Sequence, residues 1–152
     1  MHARRLVPCL LTLATLSPVA WASATSTQDL ATLQGTWQLV YGQRDGVRVP
    51  PDQLSQTTIE FQGDTFRFPG AYDIGTSQGG TITVDADTIP RRMNSYASAA
   101  GGARAGEESL GIYRIEGDVY TVDFARPGDP RPTDFTAAAG SGRLLQIWVR
   151  QR

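Results

Sequence analysis

LGIYRIEGDVYTVDFARPGDPRP, residues 110–132, is the stretch whose reading decides the fold. Two runs rich in β-branched and aromatic residues flank Gly117-Asp118, a dipeptide suited to a two-residue hairpin turn. A turn there sets Ile115 opposite Tyr120, Arg114 opposite Thr121 and Tyr113 opposite Val122. Tyr113, Ile115, Tyr120, Val122 and Phe124 then share one apolar face. A slip of one residue would mix apolar and charged side chains on both faces, so the pattern specifies the register. Beyond the hairpin, Pro127, Pro130 and Pro132 cannot donate to a ladder and impose extended geometry.

Residues 57–68, TTIEFQGDTFRF, repeat the design. A turn at Gly63-Asp64 sets Gln62 opposite Thr65, Phe61 opposite Phe66, Glu60 opposite Arg67 and Ile59 opposite Phe68. The four apolar residues share a face, and Glu60 and Arg67 form an opposite-charge pair on the other. Trp37, Leu39 and Tyr41 alternate onto one face after Gly35. Residues 80–84, 91–96 and 144–150 read as further strands; the last is apolar on both faces, so one face must pack outside the lumen. Leu30 and Leu33, following Asp29 as a candidate N-cap, predict a short N-terminal helix or turn. Asp45-Gly46 marks a turn, and Pro50-Pro51-Asp52 the start of one helical turn. Residues 69–79 and 97–107, rich in Gly, Ala and Ser, read as long loops, the second either disordered or a lid. The expected fold class is all-β, an antiparallel barrel of about eight strands, because closure removes exposed edges. A β-sandwich is the alternative.

At 152 residues the chain has the length for a single core. Residues 1–24 read as a signal peptide rather than as part of that core. Arg4 and Arg5 precede a mostly apolar run over residues 6–21, and Ala22-Ser23-Ala24 offers the small residues a signal peptidase accepts. Ala20-Trp21-Ala22 offers a second cleavage position. Pro18 and the modest apolar length argue against a membrane anchor, which needs about 20 apolar residues. The mature domain is then 25–152, exported to a periplasm or secreted, with no membrane span after cleavage. The only cysteine, Cys9, and the only histidine, His2, leave with the leader, and there is no lysine. The domain therefore lacks a disulfide, a thiol nucleophile, a histidine base and soft metal ligands. Neither a metal nor a cofactor is expected. Of the 14 cations, Arg4 and Arg5 belong to the leader, leaving 12 arginines against 15 carboxylates. No basic patch points to nucleic acid or to an anionic membrane surface.

Leu33-Gln34-Gly35-Thr36-Trp37 carries the Gly-x-Trp signature that opens the first strand of lipocalins. With Leu110-Gly111-Ile112-Tyr113, Gly117-Asp118, Pro130-Arg131-Pro132-Thr133 and the closing Arg150, the chain resembles an uncharacterised lipocalin-like domain family abundant in Planctomycetes proteins. The resemblance runs from about Leu30 to Arg150, with a looser middle third. It implies a lipocalin-like barrel in which Trp37 closes one end and Arg150 lies across its ring. It implies no settled activity or ligand. One departure is Asp123, where the family often carries cysteine.

Tyr41, Phe61, Phe66, Phe68, Tyr113, Tyr120 and Phe124 are expected on the inner faces and are the candidates for a ligand pocket. An eight-stranded barrel is just wide enough to be filled by side chains or to hold one small ligand. The number of large residues favours filling; the phenols of Tyr113 and Tyr120, which need hydrogen-bond partners, favour a guest or water. Arg131, held between two prolines, reads either as a clamp for an anion or carboxylate or as a pin to Asp129 or Asp134. Of Arg91 and Arg92, adjacent in a strand, at most one can face the lumen. Glu107-Glu108 is the only adjacent acidic pair and reads as solvated charge beside a loop. Asp64 and Asp118 are explained by their turns. The expected function is non-catalytic binding of a small apolar molecule, or of an envelope protein, by an exported barrel. The alternative is a filled barrel acting through its surface and loops. A carboxylate-dependent enzyme is the third reading.

Overall fold

The computed structural model describes residues 23–69, 79–98 and 106–152. Residues 1–22, most of the stretch 1–24 read as a signal peptide, and most of the two segments read as long loops lie outside the described residues. The chain enters through helix α1 (Ala24–Leu33), capped by Ser23, whose Oγ accepts from the Ser26 backbone N–H at 3.1 Å. Asp29 is therefore not the N-cap that its place before Leu30 suggested. It sits in the middle of the helix, where its carboxylate faces the barrel. The helix ends at Gln34, and Gly35 takes φ +102°, a conformation that favours glycine and turns the chain into the first strand.

Strand β1 (Gly35–Arg44) and β2 (Val47–Arg48) form a hairpin over Asp45-Gly46, both at positive φ. Helix α2 (Pro51–Gln56) follows, opening with a proline at its first position. Then come β3 (Thr58–Gln62), β4 (Thr65–Arg67), β5 (Gly79–Asp85), β6 (Arg91–Ala97), β7 (Glu108–Glu116), β8 (Val119–Phe124) and β9 (Leu144–Arg150). Strands β1 and β3 to β9 pair antiparallel in sequence order, and β1 closes on β9. The result is a closed eight-stranded antiparallel barrel with two short helices. Strand β2 extends only the far end of β1.

Both hairpins take the registers dictated by their patterning. Phe61 faces Phe66 and Glu60 faces Arg67, whose side chains meet at 2.5 Å. Tyr113 faces Val122, Arg114 faces Thr121 and Ile115 faces Tyr120. Gly63 and Gly117 supply the positive φ at the first turn position. Strand β4 ends at Arg67, so Phe68 lies past the ladder and packs its ring against Phe66 and Trp148. The core runs through Leu33, Trp37, Leu39, Phe61, Met93, Tyr113, Tyr120, Val122 and Trp148. On the outside of β8 and β9, Thr121, Asp123 and Leu145 are also buried. That is the second packed face anticipated for the last strand.

One strand departs from simple alternation. The β1–β9 register shifts between Leu39 and Tyr41, leaving Val40 as the extra residue of a β-bulge, 47% exposed. Past the bulge the faces exchange. Gly42 and Arg44 turn inward, and Tyr41 turns out.

Candidate functional site

The barrel has a filled end and a hollow end. At the filled end α1 lies across the strands. Trp37 donates its indole N–H to the Leu33 carbonyl at 2.7 Å, and the Arg150 guanidinium stacks over its ring, 4.1 Å from the centroid. Arg150 also donates to the carbonyls of Gln34, at 2.7 Å, and of Thr32, and approaches Asp118 at 3.4 Å. The closure implied by the lipocalin resemblance is thus present in its geometry. Gln34 ties the helix end to the β3–β4 turn by accepting from Gly63 N at 2.7 Å and donating to Gly63 O at 2.9 Å.

Under the same helix, Tyr113 donates its hydroxyl to Asp29 at 2.6 Å, and Arg91 donates to both oxygens of that carboxylate at 2.9 and 3.1 Å. Burial, reinforced by this hydrogen bond to a carboxylate, pushes the Tyr113 hydroxyl well above the ordinary phenol range, so it stays a neutral donor. Tyr113 is therefore a plug of the closed end and not a wall of the hollow one. Arg91 is the inward member of the Arg91-Arg92 pair, and it is spent on Asp29.

Toward the other end lies a cavity of about 110 Å³. Its apolar wall is built from Ile59, Phe61, Phe66, Ile82, Phe124 and Trp148, supplied by β3, β4, β5, β8 and β9. Phe61 meets Tyr120 edge-on at 5.9 Å, which fixes the floor. Tyr120 donates to the Met93 sulfur at 3.2 Å, a weak acceptor, and burial raises its pKa so that it too stays neutral. Polar groups are few: Ser95 and Ser109, Gln146, and at the rim Arg44, Glu107 and Arg126. Gly111 makes room for this wall, since a Cβ there would sit 2.5 Å from the Phe124 ring.

Of the eight residues named as ligand candidates, Phe61, Phe66, Phe68, Tyr120 and Phe124 line the cavity. Tyr113 does not, for the reason given above. Tyr41 does not either, because the bulge turns it outward, where it donates to Gln43 at 2.8 Å under the Arg48 guanidinium. Arg131 is a pin rather than an anion clamp, but its partners are neither Asp129 nor Asp134. It donates to the carbonyls of Met93 at 3.1 Å and Gly111 at 2.6 Å, and to Asn94 Oδ1 at 2.7 Å. Asp129 instead faces Arg126, and Asp134 faces Arg143. Glu108 accepts from Asn94 at 2.7 Å and Tyr96 at 2.8 Å on the exposed side of β6 and β7.

Two residues have roles that the sequence does not announce. Asp123 is fully buried outside the barrel and pairs with Arg143 at 2.5 Å. Gln146 lines the cavity beside Leu144 and Trp148. Its signal was present but unread: a polar residue at an inward position of a strand otherwise apolar on both faces. Among the described residues there is no group of three or more metal-ligating side chains, and no helix long and apolar enough to cross a membrane. Comparison with known proteins leaves the chain on its own evidence: no family model, no curated protein and no solved structure matches it.

Proposed function

We propose that this chain is an exported lipocalin-like barrel that binds a small, mostly apolar ligand in its lumen and performs no catalysis. The cavity carries the reading. Eight-stranded barrels divide between filled cores and single-ligand cups, and this one combines a filled end with about 110 Å³ of space walled by aromatic and aliphatic side chains. One neutral phenol, a thioether and few other polar groups suit a guest bound mainly by apolar burial. The Trp37–Arg150 closure supports the lipocalin-like assignment.

Native mass spectrometry of the protein purified from its own compartment, with titration of an apolar dye such as anilinonaphthalene sulfonate, tests the proposal. A bound small molecule, or saturable dye binding displaced by it, is the expected result. No bound species and no saturable binding would overturn the ligand cup and leave a barrel that acts through its outer surface. Turnover in a substrate screen, lost in Glu108→Gln, would overturn the non-catalytic reading.

Export rests on the composition of residues 1–24, and the fold bears on where the leader ends. Ser23 caps α1, and its carbonyl accepts from Thr27 N at 3.0 Å. Cleavage after Ala22 keeps that cap in the mature chain, and cleavage after Ala24 discards it. Export with processing after Ala22 gives an intact mass beginning at Ser23; a mass that retains residues 1–22 in the envelope fraction would refute processing.

A further inference from the structure

Gln146 is an amide inside an apolar cavity with nothing to bond. It sits in β9 between Gly42 of β1 and Val122 of β8, one inward position from Leu144 at the rim and one from Trp148 below. Only 6% of it is exposed, and it lines the cavity. Among the described residues no hydrogen bond reaches its side-chain amide, which is open to the cavity and not sealed from it as the indole nitrogen of Trp148 is. An amide facing the cavity bonds water or a guest, and a guest that displaces the water must replace its hydrogen bonds. Gly42 opposite Gln146 has no side chain to supply one, and Val122 offers only methyls.

The next inward residue differs, because its polar atom is sealed from the cavity space. Trp148 is fully buried, and its indole Nε1 has no acceptor among the described residues. Tyr120, which faces Trp148 across the β8–β9 ladder, gives its proton only to the Met93 sulfur. The β8–β9 wall therefore offers the cavity an amide without a protein partner, beside a phenol bonded only to a weak acceptor. Apart from the hydroxyls of Ser95 and Ser109 and the charged rim, the other walls are hydrocarbon and aromatic rings.

Resting on the ligand-cup reading, we propose that Gln146 is the polar anchor of the cavity and that its ligand is a small, flat, neutral molecule presenting an amide-like edge, an acceptor beside a donor, as in a lactam or a carboxamide. The Gln146 amide offers one acceptor and two donors in a plane, which matches such an edge with two parallel hydrogen bonds. The ring or chain behind the edge lies against Phe61, Phe66 and Trp148. Neutrality follows from the charge map of the wall. The cationic and acidic lining groups, Arg44, Glu107 and Arg126, belong to the rim, at the end of β1, before β7 and after β8. A charge at the depth of Gln146 would be desolvated without a counter-ion. Size follows from the volume: about 110 Å³ is less than the roughly 150 Å³ cavity known to take benzene when left dry, so a single ring fits only by close contact with the walls.

The test compares two probes of nearly the same shape, 2-pyridone and benzene, by calorimetric titration and by the side-chain amide resonances of Gln146. The full exported chain and its Gln146→Leu variant are used, with Gln146→Met as a second variant should the first fold poorly. Expected are binding of 2-pyridone at least about tenfold tighter than benzene, a shift of the Gln146 amide signals with 2-pyridone alone, and reversal of the preference in either variant. Benzene binding as tightly as 2-pyridone, or 2-pyridone affinity unchanged in both variants, would overturn the anchor while leaving the cup standing. Binding of neither probe, with water alone at Gln146, would overturn the anchor and count against the cup as well.

Discussion

At the scale of single residues, two pairs hold opposite sides of the barrel wall. Trp37 is closed over by Arg150 and donates to Leu33. Trp37→Phe removes a buried hydrogen bond and most of the cation–π attraction, so denaturant unfolding should show a loss of about 1–3 kcal/mol, with a lower melting temperature. An unchanged midpoint would mean that the stack contributes nothing. Asp123 is the other case. Burial pushes its carboxyl above the ordinary range against the pull of the Arg143 guanidinium. Such a group binds protons more readily folded than unfolded, so its contribution to stability falls as pH rises through its folded-state pKa. Removing the cation exaggerates this. Arg143→Leu should cost about 3–5 kcal/mol near neutrality, where Asp123 would be an unpaired buried charge. Relative to the unaltered protein, the loss should be smaller at mildly acidic pH than near neutrality, as the raised carboxyl protonates. Equal losses at both pH values would show that Arg143 acts by packing alone. Trp37 was legible because it sits in an alternating strand and a recognisable opening motif. Asp123 was not, because the chain segment that buries the outer face of β8 is irregular and leaves no periodic trace.

At the scale of elements, the helix and the strands differ in what their own sequence could say. Leu30 and Leu33 announce α1, but its start depends on Ser23, and Asp29 resembles a cap only when its partners are unknown. Arg91 and Tyr113, 62 and 84 residues away, hold it inside the helix instead. Ser23→Ala in a chain beginning at Ser23 or earlier should lower stability by about 1 kcal/mol, read from denaturant midpoints. No change would mean that the first turn of α1 frays in solution. Strand β1 was read as one alternation, and the bulge at Val40 broke it, carrying Tyr41 outward and Gly42 inward. Bulges respond to barrel closure, here the pairing of β1 with β9, and closure is not encoded in β1. Strand β5 depends on a missing side chain: a Cβ at Gly80 would run into the Tyr96 carbonyl oxygen and crowd the Phe66 ring. Gly80→Ala should therefore destabilise the fold by about 1–3 kcal/mol. A neutral outcome would require β5 and β6 to separate, which the loss of amide-exchange protection along them would reveal.

At the scale of the whole molecule, closure of β1 on β9 removes the two longest sheet edges and creates an interior that two kinds of side chain share. Helix α1, Trp37 and Tyr113 fill one end; the other keeps a cavity walled by aromatic and aliphatic side chains. A ligand that occupies the hollow end stabilises only the folded chain, by about 2.7 kcal/mol at a hundred times its dissociation constant. Protein stripped of small molecules by unfolding and refolding should accordingly melt lower than protein taken directly from its compartment, and recover when the extracted molecule is returned. Identical melting of the two preparations would speak for a barrel that carries no guest.

The sequence by itself determined the strand content, both hairpin registers, their turns, the short helices and the residues that face inward within each hairpin. These follow from period-two alternation and turn chemistry, which act between neighbours and need no knowledge of the rest of the chain. Only the tertiary structure decided which inward residues meet: that Tyr113 plugs one end while Tyr120 lines a cavity, that Tyr41 leaves the lumen, that Arg131 pins the chain to carbonyls of β6 and β7, and that Gln146 is left with an amide to satisfy. The reason is physical. Alternation assigns a side chain to a face, but depth along the barrel axis depends on the stagger of all eight strands and on the helix laid across one end. Closure sets both, and no single strand carries it.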